Sequence, residues 1–135
     1  MKALDTNVLA RFFIDDADDP QTARQRPAAV AALSERGYVS VTVLLEFESV
    51  MRGFYELPRR DVVRVMRALA GMERITLEDR DAVLAALDAF DAGLDFADAL
   101  HVTRSSRASV FATFDQRLVK RARALGLSPP VELLG

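Results

Sequence analysis

The chain contains no cysteine and only one histidine, His101. Without cysteine it can form neither a disulfide framework nor a cysteine-ligated zinc or iron–sulfur site, and a single histidine cannot build a histidine-rich zinc site. Long apolar runs are also missing: no stretch approaches the roughly 20 apolar residues of a membrane span, and the opening residues MKALDTN include no apolar signal segment. We therefore expect a cytoplasmic protein without membrane contact, in which any metal ion is held mainly by oxygen.

Excess positive charge is absent as well. The formal net charge is −2 and the isoelectric point is near 5.4, unlike the strongly basic body expected of a nonspecific nucleic-acid binder. Lys2 and Lys120 are the only lysines among 18 basic residues, so the rest are arginines, which suit phosphate recognition. Arginine and alanine richness is equally typical of a GC-rich coding sequence, and we favour that explanation for the chain as a whole.

The 135 residues, half of them hydrophobic, fit one compact domain over residues 1–135. Hydrophobic patterning predicts short strands at residues 2–5, 38–42, 74–77, 109–113 and 131–134. It predicts helices after residue 5, at 21–34, from 43, from 58, and at 80–90, 96–106 and 116–125. Strands alternating with helices indicate an α/β domain with a mainly parallel sheet, whose working residues gather where the strands end.

Acidic residues stand at several of these strand ends and helix starts. Hard cations such as Mg²⁺ and Mn²⁺ prefer oxygen ligands, which one fold can collect from distant segments. The candidates for such a site are Asp5, Glu46, Asp98 and Asp115, with Asp95 close by.

Each candidate also has a structural explanation. Asp5 and Asp115 both follow a predicted strand and precede a helix, so either can be an ordinary helix N-cap. Glu46 lies at the border of an apolar stripe formed by Val43, Phe47, Val50 and Phe54, where a carboxylate needs a partner. We favour a metal ion over an arginine as that partner, and we expect Glu48 to be a solvated partner of Arg52.

Asp95 and Asp98 lie three residues apart on one predicted helix face. Both carboxylates can simply be stabilised by the partial positive charge at the N-terminus of that helix. Asp95 is the better cap, and Asp98, already inside the helix, is the better ligand. His101 lies one turn after Asp98, where it can reach a water or a phosphate, but a lone helical histidine is more often structural.

Two basic stretches carry a similar ambiguity. Arg117, Lys120, Arg121 and Arg123 can steer a polyanion toward Asp115, although charge runs on a terminal helix are usually solvated faces. The same caution applies to the other stretch, which comprises Arg60, Arg64 and Arg67.

The ordered set DTNVL, the acid in VLLEFESVM, then DFADALH and TFD resembles the PIN-domain family, in particular the VapC-type toxins of bacterial toxin–antitoxin pairs. The resemblance covers nearly the whole chain and implies a three-layer α/β/α domain with a mainly parallel central sheet. Carried over residue by residue, it makes Asp5, Glu46, Asp98 and Asp115 the ligands of Mg²⁺ or Mn²⁺, with Asp95 auxiliary.

The same resemblance implies supporting roles and partners. Thr113, Thr6 and Asn7 would orient the carboxylates. The activity implied is endoribonuclease cleavage, with transfer RNA as a possible substrate, in a homodimer inhibited by a VapB-type antitoxin. The residues are consistent with this chemistry, because no cysteine nucleophile is available and no Ser-His pairing is evident, so a metal-activated water is the attacking group.

The sequence also allows other interpretations of the site and of the function. The segment FESVM departs from the more apolar stretch of many relatives, which raises Glu48 as a rival to Glu46. An aspartyl-phosphate hydrolase usually needs a second Asp where Asn7 stands, and a receiver domain needs a mid-chain acceptor Asp and a late Lys. The non-enzymatic alternative is a catalytically inactive PIN-fold module that binds protein or RNA, with its acids serving as caps.

Overall fold

The computed structural model describes all residues from Met1 to Gly135. Seven helices and five short strands follow one another along the chain. The strands are β1 (Lys2–Ala3), β2 (Gly37–Val39), β3 (Ile75–Leu77), β4 (Phe111–Thr113) and β5 (Val131–Leu133). The helices are α1 (Thr6–Phe13), α2 (Pro20–Leu33), α3 (Val41–Gly53), α4 (Arg59–Ala70), α5 (Arg80–Asp91), α6 (Phe96–Thr103) and α7 (Gln116–Leu125).

All strand pairs are parallel. One sheet has the order β1-β2-β3, and β4 pairs with β5 in a second sheet. The chain divides into two compact units, Met1–Glu78 and Asp79–Gly135, and each unit contains one of these sheets. The predicted α/β class with parallel strands is therefore confirmed.

The first unit contains four helices and the three-stranded sheet, with α1 packed on α2 and α3, and α4 packed on α3 and β3. Its core includes the fully buried side chains of Leu9, Phe47, Met66 and Leu69. At Gly37 in β2, an added Cβ would lie 2.9 Å from Leu4 Cδ1 and 3.0 Å from Ile75 Cδ1, so glycine is what lets these side chains close over the strand.

The second unit is built on the pairing of α5 with α6. Phe90 and Phe96 meet edge to face, with ring centroids 5.8 Å apart, and both are buried. The buried Thr103 hydroxyl donates to the carbonyl of Ala82 at 2.9 Å, which satisfies a polar group inside this contact. The Phe90–Phe96 contact lies at the start of α6, next to Asp95 and Asp98, and the Thr103 hydrogen bond lies at its end.

Helix α3 departs from its prediction at both its start and its buried face. Ser40 caps the helix by accepting from the Val43 amide, so β2 ends at Val39 and the predicted strand 38–42 is too long. The β-branched residues after Ser40 favour a β-strand, but the serine N-cap outweighs that strand propensity.

The predicted apolar stripe of α3 is wrong in part. Phe47 is buried, but Phe54 is 71% exposed, and the buried face is formed by Leu44, Phe47 and Met51. Glu48 lies four residues after Leu44 and three before Met51, so it shares that face.

Glu48 is accordingly buried, at 3% exposure, and the prediction that it is solvated is wrong. Its predicted partnership with Arg52 is confirmed, with the Arg52 Nε donating to Glu48 Oε2 at 2.8 Å. Glu46, in contrast, is exposed.

No helix of the chain is both long enough and apolar enough to cross a membrane.

Candidate active site

Asp5 stands between β1 and α1, at the N-cap position of the helix. Its main chain plays the expected part, since its carbonyl accepts from the amides of Val8 and Leu9. Its side chain makes no capping hydrogen bond and is exposed. The N-cap explanation therefore accounts for the backbone at Asp5 but not for its carboxylate.

Glu46 is held by Thr6, the residue after Asp5. The Thr6 hydroxyl is buried and donates to Glu46 Oε1, which joins the start of α1 to the middle of α3. The partner of Glu46 is thus a hydroxyl, and no ion pair to an arginine involves this carboxylate. A neutral donor orients a carboxylate without neutralising its negative charge, so Glu46 keeps its capacity to attract a cation.

Asp95 caps α6, as predicted. Its Oδ1 accepts from the amide of Asp98 at 3.0 Å. This hydrogen bond ties the two acidic residues together at the first turn of the helix. The prediction that Asp95 is the better cap is confirmed.

The environment of Asp98 opposes the ionisation of its carboxyl group. Burial raises the pKa of its carboxyl group, the negative charges of Asp95 and Asp115 raise it further, and His101 acts in the opposite direction. Both acids therefore lie close enough to Asp98 to oppose its ionisation. Such a group of like charges is what a divalent cation relieves.

Asp115 caps α7 with only one of its two carboxylate oxygens. Its Oδ1 accepts from the amides of Arg117 and Leu118, at 3.0 and 3.1 Å. The Thr113 hydroxyl accepts from the Asp115 amide at 3.0 Å, which fixes the turn between β4 and the helix. The cap explanation is correct for Oδ1, while Oδ2 remains available to a further ligand.

The two basic stretches differ in the contacts that their side chains make. Arg64 pairs with Asp61 at 3.6 Å in α4. In α7, Arg121 donates to the carbonyl of Gly93 at 2.6 Å, and the four basic residues of this helix are all exposed. His101 is exposed on α6.

The donor set fits a hard divalent cation in chemistry. All the candidate ligands are carboxylates, and in the second unit they raise the pKa of Asp98 in a way that bound Mg²⁺ or Mn²⁺ would reverse. Asp5 and Glu46 belong to the first unit, whereas Asp98 and Asp115 belong to the second. Neither unit contains by itself a group of three or more acidic or histidine side chains able to hold a metal ion.

Two features of the site region were not apparent in the sequence. The Oε1 of Glu78, the residue after β3, accepts from the Val41 amide at 2.8 Å and so supports the start of α3. Phe114, directly before Asp115, is 78% exposed. A contact between residues 37 positions apart leaves no local signal, and the motif TFD does not indicate on which side its aromatic ring lies.

The raised pKa of Asp98 predicts a pH-dependent effect on stability. Since folding disfavours the ionised carboxylate, Asp98 lowers the free energy of unfolding at pH values above its folded pKa, and this penalty disappears as the pH falls and the group is protonated in both states. Asp98→Asn should therefore raise the melting temperature in EDTA at about pH 7 and leave it unchanged near pH 3. The exposed Asp18→Asn serves as control. A variant less stable than wild type at neutral pH would contradict the assignment.

The comparison with protein families gives one clear match. The PIN domain family matches residues 2–124, a range that runs through both units and includes Asp5, Glu46, Asp98 and Asp115. No curated protein and no solved structure shows a significant match. PIN domains are generally nucleases, commonly dependent on divalent metal ions, and the fold suggests RNA binding. The chain belongs to the PIN domain family.

Proposed function

We propose that the protein is a Mg²⁺- or Mn²⁺-dependent endoribonuclease in which Asp5, Glu46, Asp98 and Asp115 ligate the metal and Asp95 assists. The observation that carries the proposal is the raised pKa of the Asp98 carboxyl group, caused first by burial and then by the charges of Asp95 and Asp115, in a chain of the PIN domain family. Carboxylates are kept close together at a free-energy penalty unless a cation compensates them. A nuclease that attacks phosphodiesters with a metal-activated water needs such a group of carboxylates to bind the metal.

In this proposal the protein residues hold and orient the ligands. Thr6 fixes Glu46 through its hydroxyl, and the amides at the start of α7 fix Asp115 through Oδ1. Such outer contacts typically decide metal affinity and activity by about 10- to 100-fold. When bound, Mg²⁺ or Mn²⁺ lowers the pKa of the attacking water and neutralises charge on the scissile phosphate.

The proposed biological setting is that of a VapC-type toxin. It rests on the ordered motifs DTNVL, VLLEFESVM, DFADALH and TFD. In this setting the protein acts in the cytoplasm on RNA, with transfer RNA as the leading candidate, forms a homodimer and is inhibited by a VapB-type antitoxin.

A second candidate function is a PIN-fold module that binds RNA or protein without cleaving. One observation favours it, because Asp95 and Asp115 both serve as helix caps and neither unit holds three acids in a group ready for metal. The two candidates are separated by whether RNA is cut and not merely bound.

Purified protein free of antitoxin should cleave RNA only when Mg²⁺ or Mn²⁺ is present. Asp5→Asn and Asp98→Asn should each lower the rate by at least about a hundredfold, because each removes a charged metal ligand. Thr6→Val, which keeps the side-chain shape but removes the donor to Glu46, should lower it by about 10- to 100-fold. The measurement is gel analysis of end-labelled total and transfer RNA.

Asp18→Asn is the matched control for this experiment, since Asp18 is an exposed aspartate in the loop before α2. It should cleave like wild type. Cleavage that persists in EDTA, or that survives in both Asp5→Asn and Asp98→Asn, would contradict the proposal. Metal-independent RNA binding without any cleavage would favour the non-catalytic module.

Expression in a bacterial host should test the toxin role separately. Induction of the wild-type chain should arrest growth, and Asp98→Asn should abolish the arrest, because toxicity would depend on cleavage. The readout is colony number and optical density after induction, at protein levels matched by immunoblot. Equal toxicity of the two forms, or growth unaffected by an active nuclease, would count against a toxin.

A further inference from the structure

Phe114 is an exposed aromatic side chain beside a candidate catalytic acid. It lies between β4 and α7, directly before Asp115, and 78% of it is accessible to solvent. Exposing a phenylalanine ring forgoes the favourable free energy that its burial would contribute. Because Phe114 is next to Asp115, the exposed ring lies beside a proposed metal ligand.

The backbone around Phe114 is fixed on both sides. The Leu134 amide donates to the carbonyl of Thr113 at 2.8 Å, and the Asp115 amide donates to the Thr113 hydroxyl at 3.0 Å. After Phe114, the Asp115 carboxylate caps α7. The ring is therefore presented from a held turn, and a rigid aromatic surface loses little conformational entropy when a flat ligand binds to it.

The charge that follows Phe114 is positive along the whole helix. Helix α7 buries Leu118, Val119 and Ala122 and has no acidic residue. Its exposed cationic residues are Arg117, Lys120, Arg121 and Arg123. This contrasts with the net charge of −2 for the chain, and it makes the surface after Phe114 complementary to a polyanion.

An aromatic ring followed by a cationic helix is the combination by which proteins bind single-stranded nucleic acid, the ring stacking on a base and the cations holding phosphates. A duplex cannot supply this contact, because its bases are already stacked. Helix α7 carries exposed cations and no acidic residue, which matches the phosphates of RNA, whereas a protein partner would have to bring acidic side chains to this surface. The observations therefore favour RNA over a protein as the occupant.

We propose that Phe114 is a substrate-binding residue that stacks on an unpaired base of RNA next to Asp115, while the cationic face of α7 holds the neighbouring phosphates. This inference rests on the proposed function in naming the same site, and it adds the residue that contacts a base beside that site. It also assigns a role to a residue outside the acidic set.

The absence of tryptophan from the chain provides a direct reporter. Phe114→Trp introduces the only indole, whose fluorescence is quenched when a base stacks on it. The variant is titrated in EDTA, so that no cleavage occurs, with a single-stranded RNA oligonucleotide and with the same sequence as a duplex. Phe54→Trp is the matched control, because Phe54 is 71% exposed and not next to a candidate acid.

The expected result is saturable quenching of Phe114→Trp by the single strand, at least about fivefold weaker binding of the duplex, and little quenching of Phe54→Trp. In a separate binding assay, Phe114→Ala should weaken single-strand affinity by about 5- to 150-fold, the range given by base–aromatic stacking, and Phe114→Tyr should restore it. The melting temperature of Phe114→Ala should stay close to that of wild type.

Four outcomes would overturn the inference. The first two are the absence of quenching by any RNA and equal quenching of Phe54→Trp. The third is emission that changes with protein concentration alone, which would indicate a second copy of the chain on this surface. The fourth is a Phe114→Ala variant that is destabilised as much as a core variant such as Phe47→Ala. The proposed function fails separately. Metal-dependent cleavage without quenching would remove only the role of Phe114, whereas quenching without cleavage under any metal would leave a base-binding surface on a protein that is not a nuclease.

Discussion

Repulsion between carboxylates constrains how this chain can place its acidic residues. Asp98 carries the clearest sign of that repulsion, since burial and the charges of Asp95 and Asp115 all raise the pKa of its carboxyl group. The fold gives the two neighbouring acids hydrogen-bond donors from the backbone. Asp95 accepts from one backbone amide and Asp115 from two.

The same contacts serve both the fold and the proposed site. A helix cap at Asp115 is worth on the order of 1 kcal/mol, and because it uses only Oδ1, the second oxygen is left for a cation. In the first unit, Thr6 orients Glu46 while the side chain of Asp5 is left out of its helix cap. Local structural interactions thus orient the carboxylates without neutralising them, which a metal site requires.

Local signals were enough to predict some elements from sequence. Helix α7 spans the predicted residues because Asp115 caps its start and Gly126, in a left-handed conformation at φ 68°, ends it. The PIN family was identifiable from ordered motifs. Tertiary contacts were not: Thr6 meets Glu46 from 40 residues away, and Glu78 supports the start of α3. Glu48 was misassigned because the buried face of α3 depends on what packs against it, which the residue pattern left ambiguous.

We expect Asp5, Glu46, Asp98 and Asp115 to serve as ligands of divalent metal, and thermal unfolding with Mn²⁺ or EDTA tests this most directly. Ligand at ten times its dissociation constant stabilises a fold by about 1.4 kcal/mol, which corresponds to a shift of a few degrees in Tm for a chain of this size. Mn²⁺ should raise the Tm of the wild-type protein, and Asp5→Asn and Asp98→Asn should each abolish the shift. A shift of equal size in all three proteins, or in none, would contradict this expectation.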